Sequence, residues 1–187
     1  LNNKGEMFLV SPSGFVSLIR MIDEKGIMRK VISTVTPKYL DAIGNSKYKG
    51  KVQTGELATI THFSDFAFDH KGNLFISDRL NHQIRKVDAK GEITTIAGTG
   101  ESGYYGDGGP AMEAAFRDPS ALATDKAGNL YIADGANNLI RKIDTNGIVT
   151  TIAGNGKHDN TGDDGPALKA SIRNMDYLKV SSEGELH

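Results

Sequence analysis

Residues 98–110 form a glycine-rich stretch, GTGESGYYGDGGP, whose residue types could bind a phosphate group. Its first six residues match the GxGxxG pattern, in which backbone amides and a following helix bind a dinucleotide. Here Tyr104, Tyr105 and further glycines follow instead of a helix. The similar stretch at 154–159, GNGKHD, lacks the third glycine. The pattern therefore argues against a nucleotide site and favours a connecting segment.

A second stretch, at 158–165, could supply oxygen ligands to calcium. It places Asp159, Asn160, Asp163 and Asp164 close together in the sequence. Calcium loops alternate their ligands and end in a glutamate, and neither feature is present here. We interpret this stretch as a solvated acidic loop, and the sequence predicts neither a metal site nor a cofactor.

Charge and composition exclude several classes of function. The chain has 187 residues, with 22 basic and 23 acidic side chains, and no basic cluster stands out. We therefore expect no nucleic-acid partner, and no apolar run is long enough to predict membrane insertion. With no cysteine, disulfides and thiol catalysis are excluded. The start, without Met or a basic leader, predicts a processed or cut piece.

An internal repeat organises the chain. Gly72 aligns with Gly128 and then, at the same spacing, with Gly184, within stretches that match over most of their length. The predicted copies comprise about 1–62 with a divergent connector, 63–118, 119–174, and the start of a fourth at 175–187.

Each copy has the sequence pattern of four short strands. Apolar and polar residues alternate in segments separated by Gly, Asn and Asp turns. We predict strands near 63–69, 73–78, 82–88 and 92–97, and again at the aligned positions of the next copy. Short helices are expected after Pro110 and Pro166, with Met112 and Phe116 on one face of the first. A repeat as long as residues 63–118 that contains four strands is typical of a β-propeller blade.

The repeat resembles the NHL repeat, which is named after an Asn-His-Leu run. The stretches GNLFISD at 72–78 and NHQIRKVD at 81–88 carry the resemblance, and Asn81-His82 keeps part of that run. The connector resembles that of bacterial multi-repeat NHL proteins. The resemblance implies an all-β propeller of four-stranded blades, usually six to a ring. The chain would supply about three, with the remaining blades coming from the same parent chain or from a second copy.

Recognition residues are expected on one face, where the loop after each second strand and the connector emerge together. We expect 79–82 to lie beside Tyr104, Tyr105 and Asp107, since binding residues concentrate on loops of rigid scaffolds. Asp78 and Asp134 are expected to accept hydrogen bonds from loop amides. The Arg85-Lys86 and Arg141-Lys142 pairs are interpreted as surface charges. The candidate binding residues are Arg79, Asn81, His82, Tyr104, Tyr105, Asp107, Asn137 and Asn138.

Three functions remain open, the last of which is a purely structural spacer. The first is a non-catalytic, extracytoplasmic scaffold, in the periplasm or at the cell surface, that binds a protein or carbohydrate ligand. The alternative is a metal-dependent hydrolase, lactonase or lyase, as the likeness to NHL-like propeller enzymes implies. Its axial site would be completed by further blades. The inner strands offer Asp65, Ser120, Asp176 and Lys179 to such a site, and no histidine.

Overall fold

This computed structural model describes residues 7–13, 16–22, 25–35, 63–87, 93–159 and 161–187, which form two compact units. The first unit, Leu1–His62, contains a three-stranded antiparallel sheet of β1 (Met7–Ser13), β2 (Val16–Ile22) and β3 (Met28–Val35), in that order. The predicted connector at 36–62 lies outside the described residues.

The second unit, Phe63–His187, contains two four-stranded antiparallel sheets. Their strands follow chain order: β4 (Phe63–Phe68), β5 (Leu74–Asp78), β6 (Gln83–Val87) and β7 (Ile93–Ala97), then β8 (Pro119–Thr124), β9 (Leu130–Asp134), β10 (Leu139–Ile143) and β11 (Val149–Ala153). Each strand of the second sheet starts at the residue that the repeat aligns with the start of its counterpart in the first sheet. The predicted strand pattern is therefore confirmed.

The same irregularity recurs in all three sheets. The register of the last strand pair shifts immediately before an arginine, at Ile19/Arg20, Ile84/Arg85 and Ile140/Arg141. A bulge at this point increases the local twist and changes the direction of the side chains that follow it. The three sheets thus share one local geometry, which their sequences repeat.

The turn between the first and second strands also recurs, and a side-chain oxygen closes it. The carboxylate of Asp69 accepts the amide N–H of Asn73 at 2.9 Å, and Asp125 accepts that of Asn129 at the same distance. Such local bonds stabilise tight turns. At the equivalent place near the C-terminus, Ser181 Oγ accepts the amide N–H of Glu185 at 3.1 Å.

The core of the second unit lies between its two sheets. Strands β4 and β8 are neighbours: the Asp65 carboxylate accepts the Leu122 amide N–H at 2.8 Å, and Thr124 Oγ1 donates to the Phe68 carbonyl at 2.6 Å. Burial of large apolar side chains stabilises this arrangement by roughly 1.5–3 kcal/mol each. The core is formed by Phe75, Ile84, Ala97, Ala111, Ala114, Phe116, Leu122, Leu130, Ile132, Ile143 and Val149.

The connector between the two sheets covers the outer edge of the second one. Gly108 N–H donates to the Val149 carbonyl at 2.8 Å, Val149 N–H donates to the Gly109 carbonyl at 3.0 Å, and Ala111 N–H donates to the Gly147 carbonyl at 2.8 Å. The connector therefore pairs with β11, and an exposed edge strand is avoided.

The helices expected after Pro110 and Pro166 are each a single 3₁₀ turn, Ala111–Glu113 and Ala167–Lys169. The expectation that Met112 and Phe116 share a face is wrong: Met112 is 50% exposed, whereas Phe116 is fully buried. The chain becomes extended again at Ala114, and Ala115 pairs with Tyr105. This pairing prevents a longer helix. No helix in the described part of the chain is long and apolar enough to cross a membrane.

Candidate functional site

A buried arginine, Arg141 on β10, organises the loops at the second sheet of the second unit. Its side chain is 0% exposed. Its Nη2 donates to Asp107 Oδ1 at 2.6 Å and to the Tyr105 carbonyl at 3.2 Å, and its Nη1 donates to the Ala115 carbonyl at 2.7 Å. The guanidinium therefore ties the connector to the sheet.

Two aromatic rings contact the same guanidinium. Its carbon lies 5.2 Å from the centroid of the Tyr104 ring and 4.8 Å from that of Phe116, within the range of cation–π attraction. The expectation that Arg141 is a surface charge is wrong, because the connector covers this edge of the sheet. The equivalent Arg85 is also largely buried and bonds Asp78 Oδ2 through Nε at 3.1 Å.

Asp107 is occupied on both of its oxygens. Oδ1 accepts bonds from Nη2 and Nε of Arg141, and Oδ2 accepts the backbone N–H of Thr151 at 2.9 Å. Partial burial opposes ionisation, but the bonds from Thr151 and Arg141 hold the pKa of Asp107 below its usual value. Asp107 is therefore a charged structural link between connector and strand.

Asp134, at the end of β9, is a second and deeper carboxylate. It is 0% exposed and accepts the Arg117 amide N–H at 2.7 Å and Asn137 Nδ2 at 2.9 Å. Arg141 Nη1 is more distant, at 3.8 Å. Burial raises the pKa of Asp134 to about 6, against the effect of these donors. The expected role of Asp134 as an acceptor for a loop amide is confirmed.

The loop after each second strand has one residue in the left-handed conformation, His82 (φ 53°) or Asn138 (φ 54°). The glycine after the fourth strand packs directly against this residue. A Cβ on Gly98 would lie 2.4 Å from the His82 carbonyl oxygen, and a Cβ on Gly154 would lie 2.3 Å from that of Asn138. Only glycine allows so close an approach.

Three of the predicted binding residues lie in local networks at the first sheet of this unit, and a fourth lies on the connector. The Arg79 guanidinium lies 3.5 Å from the Asp118 carboxylate, and His82 Nδ1 accepts the Asp118 amide N–H at 3.2 Å. Asn81 donates to the Asp78 carboxylate at 2.9 Å. The fourth, Tyr105, donates through its hydroxyl to Glu101 at 3.2 Å.

The other four predicted residues line one open groove of about 710 Å³, here called the connector groove. Its lining comes from the connector, the loop after β9 and the segment after β11. It consists of Tyr104, Asp107, Arg117, Ala136, Asn137, Asn138, Leu139, Thr151, Gly154, Asn155, Gly156, His158 and Leu168.

The partner loop of the connector differs from the expected one. Residues 104–107 lie beside 135–138 of the following sheet, where Asn137 Nδ2 donates to the Gly103 carbonyl at 2.8 Å. The prediction from the sequence was that they lie beside 79–82. The connector crosses to the outer edge of the next sheet and brings its tyrosine there. Sequence reasoning did not select Arg117 or His158, and their positions in the repeat gave no signal of a shared groove.

Several groups in the groove remain available to a ligand. The Tyr104 ring is 51% exposed. Arg117 is exposed and forms no ion pair with any described residue. Asn138 is only 2% exposed, and its side chain makes one long bond, 3.5 Å from Nδ2 to the Gly156 carbonyl. An exposed aromatic face and an exposed cation thus share one groove, above the buried Asn138.

The four axial candidates of the alternative function have different surroundings. Burial raises the pKa of Asp65, and Ser120 Oγ donates to the Met175 carbonyl at 2.5 Å. Asp176 and Lys179 are exposed. Within the described ranges, no three His, Cys, Asp or Glu side chains are grouped so that they could hold a metal ion.

Comparisons with known proteins give a family match for part of the chain. Residues 99–173 match the family model described as the Teneurin NHL domain. Teneurin-1 of Gallus gallus is 36% identical over 95 residues, which covers 44% of this chain and 3% of that protein. The chain thus spans a small fraction of this relative.

Two solved structures from Bacteroides thetaiotaomicron have similar folds. A structural genomics protein of unknown function has a TM-score of 0.60 and 16% identity, covering all of this chain and 54% of the other. An auxiliary nutrient binding protein has a TM-score of 0.58 and 17% identity, covering 97% of this chain and 41% of the other. Likeness at this level of identity shows the fold alone.

Proposed function

We propose that this chain, a segment of an NHL-type β-propeller, is part of a non-catalytic scaffold that recognises a protein or glycan through the connector groove. The observation that carries the proposal is the convergence of Tyr104, Arg117 and Asn138 on one open groove. We expect the protein to work outside the cytoplasm, in the periplasm or at the cell surface.

Comparison of the two copies distinguishes residues that the fold requires from residues that can contact a ligand. Gly106, Asp107 and Pro110 recur in the next copy as Gly162, Asp163 and Pro166. Tyr104 does not recur, because its counterpart is Asn160. A side chain that is not repeated is not required by the fold of each copy, whereas the role of a repeated one, such as Arg117 with its counterpart Arg173, must be argued from its contacts. Tyr104 is therefore the best candidate for a contact residue.

The groove is built on a rigid base. Gly103 N–H donates to the Phe116 carbonyl at 3.1 Å, Ala136 N–H donates to the Arg117 carbonyl at 3.1 Å, and Arg141 ties the connector to the sheet below. Rigid positioning of contact side chains reduces the entropy lost on binding. This arrangement favours recognition of a ligand without rearrangement of the fold.

The carboxylates near the groove are poorly placed for acid–base chemistry. Asp107 has both oxygens occupied by Arg141 and Thr151, and Asp134 lies fully buried beneath Asn137 and Arg117. A general base needs a free lone pair within reach of its substrate. The similarity to an auxiliary nutrient binding protein supports a binding role by analogy of fold only.

A glycan and protein panel tests the proposal with two single variants. Tyr104→Ala should weaken binding of any ligand of this face at least tenfold. It should cost less than about 1 kcal/mol of stability, because the ring is half exposed and makes one cation–π contact and one exposed hydroxyl bond of 3.3 Å with Thr151. Tyr177→Ala removes a tyrosine that is 69% exposed and lies outside the groove, so it should change neither binding nor stability. Binding that survives Tyr104→Ala would contradict the proposal.

A further inference from the structure

We propose that the ligand of the connector groove is a saccharide that carries a carboxylate, and that Arg117 binds this carboxylate. The inference rests on the proposed function and deepens it. The charges of the groove support it.

The groove has an excess of positive charge at its surface. Asp107 is the one carboxylate among its lining residues, and the buried Arg141 neutralises it through two bonds. Arg117 and His158 line the same groove, and Arg117 pairs with no carboxylate in the described part of the chain. An unpaired guanidinium is a planar donor that suits a carboxylate.

The base of Arg117 is held in place while its side chain is free. Its amide N–H donates to Asp134 at 2.7 Å, and its carbonyl accepts the Ala136 amide N–H at 3.1 Å. The backbone of Arg117 therefore stabilises the loop, whereas its exposed guanidinium takes part in none of these bonds. A change of the side chain alone should affect a ligand without affecting the loop.

The other groups in the groove favour a saccharide over an extended peptide. A peptide that binds by strand addition needs a free row of backbone groups. At this edge the Val149 amide and carbonyl are already paired with the connector. The groove offers instead the half-exposed Tyr104 ring, which can stack on a sugar ring.

The repeat provides a matched control for Arg117. Its counterpart in the next copy is Arg173, which is also exposed but does not line the groove. Removal of either charge changes the net charge of the protein equally. A difference between the two variants therefore reports the local role of Arg117 and excludes a general electrostatic effect.

Calorimetric titration with three probes tests the inference: trigalacturonic acid, its fully methyl-esterified form, and the peptide triglutamate. The acid should bind at least tenfold more tightly than the ester, since esterification removes the charge and keeps the sugar. Arg117→Gln should abolish this preference, and Arg173→Gln should retain it. Tyr104→Ala should weaken binding of both sugar probes. Unchanged melting temperatures would confirm that Arg117→Gln and Arg173→Gln fold normally.

Four outcomes would overturn the inference. If acid and ester bind with equal affinity and both depend on Tyr104, the groove does not recognise the carboxylate. The proposed function would then still hold. Tighter binding of triglutamate than of trigalacturonic acid would assign an acidic peptide instead. Loss of the acid preference in Arg173→Gln would show a non-local charge effect. Failure of all three probes would overturn the inference, whereas the proposed function fails only if no ligand from the wider panel depends on Tyr104.

Discussion

Replacement of Arg141 by methionine should be the most damaging single change of a charged residue at the connector groove. Methionine keeps much of the aliphatic volume but removes every donor. Asp134, which is fully buried, loses its nearby cation, and Asp107 loses two bonds. The carbonyls of Ala115 and Tyr105 lose a partner as well.

The magnitude of this loss follows from the burial of each partner. Removal of one member of a buried ion pair costs roughly 3–5 kcal/mol, and each orphaned carbonyl adds about 1 kcal/mol. Asp107 is 35% exposed and can be partly solvated, so we take the low end of this range for the cost of breaking its ion pair. With the pair at the low end of its range and two orphaned carbonyls, we expect Arg141→Met to lower the free energy of unfolding by about 5 kcal/mol.

Urea unfolding followed by circular dichroism measures this loss, with Lys142→Met as the control. Lys142 is the next residue on the same strand, is half-buried, lies 6.0 Å from the centroid of the Tyr131 ring and interacts electrostatically with the exposed Asp144. Its replacement should cost less than about 1 kcal/mol. If Arg141→Met costs no more than Lys142→Met, the guanidinium does not hold the connector and the reasoning is refuted.

Two further predictions concern pH and backbone conformation. The pKa of Asp134 is about 6 in the folded state against 3.8 in the unfolded chain, so its contribution to stability is present below pH 4 and is lost as pH rises through 6. Relative to the wild type, Asp134→Asn should therefore gain about 2 kcal/mol between pH 4 and pH 7 in urea unfolding, and a constant difference would contradict the pKa. Gly154→Ala should cost at least about 2 kcal/mol more than Gly147→Ala, because both glycines have positive φ but only the Cβ on Gly154 meets a carbonyl oxygen. Equal melting temperatures for the two alanine variants would show that this close approach is unimportant.

The strands could be predicted from the sequence because their signals are local and are repeated. The Asn-Gly turn and the run of β-branched residues in β11 specify a hairpin without reference to the rest of the chain. Because the repeat has no gaps, the strands predicted in one copy are also predicted at the aligned positions of the other. The sequence also predicted that Asp134 accepts a loop amide, although the donor, Arg117, lies in the connector and not in the turn that follows β9.

The burial of Arg141 could not be predicted from local pattern. On β10 it shares a face with Leu139 and Ile143, but an arginine at such a position usually reaches solvent. It is buried because a distant segment, 104–116, folds over the sheet edge and supplies acceptors and aromatic rings. The absence of a longer helix after Pro110 has the same cause, since Ala115 pairs back with Tyr105.

Chemical-shift mapping of backbone amides during titration with trigalacturonic acid tests the central claim most directly. The account predicts that the largest shifts occur around Tyr104, Arg117 and Asn138, and that Tyr104→Ala removes them. Shifts concentrated instead at Asp65, Ser120 and Asp176 would contradict the connector groove and would favour a site along the inner strands.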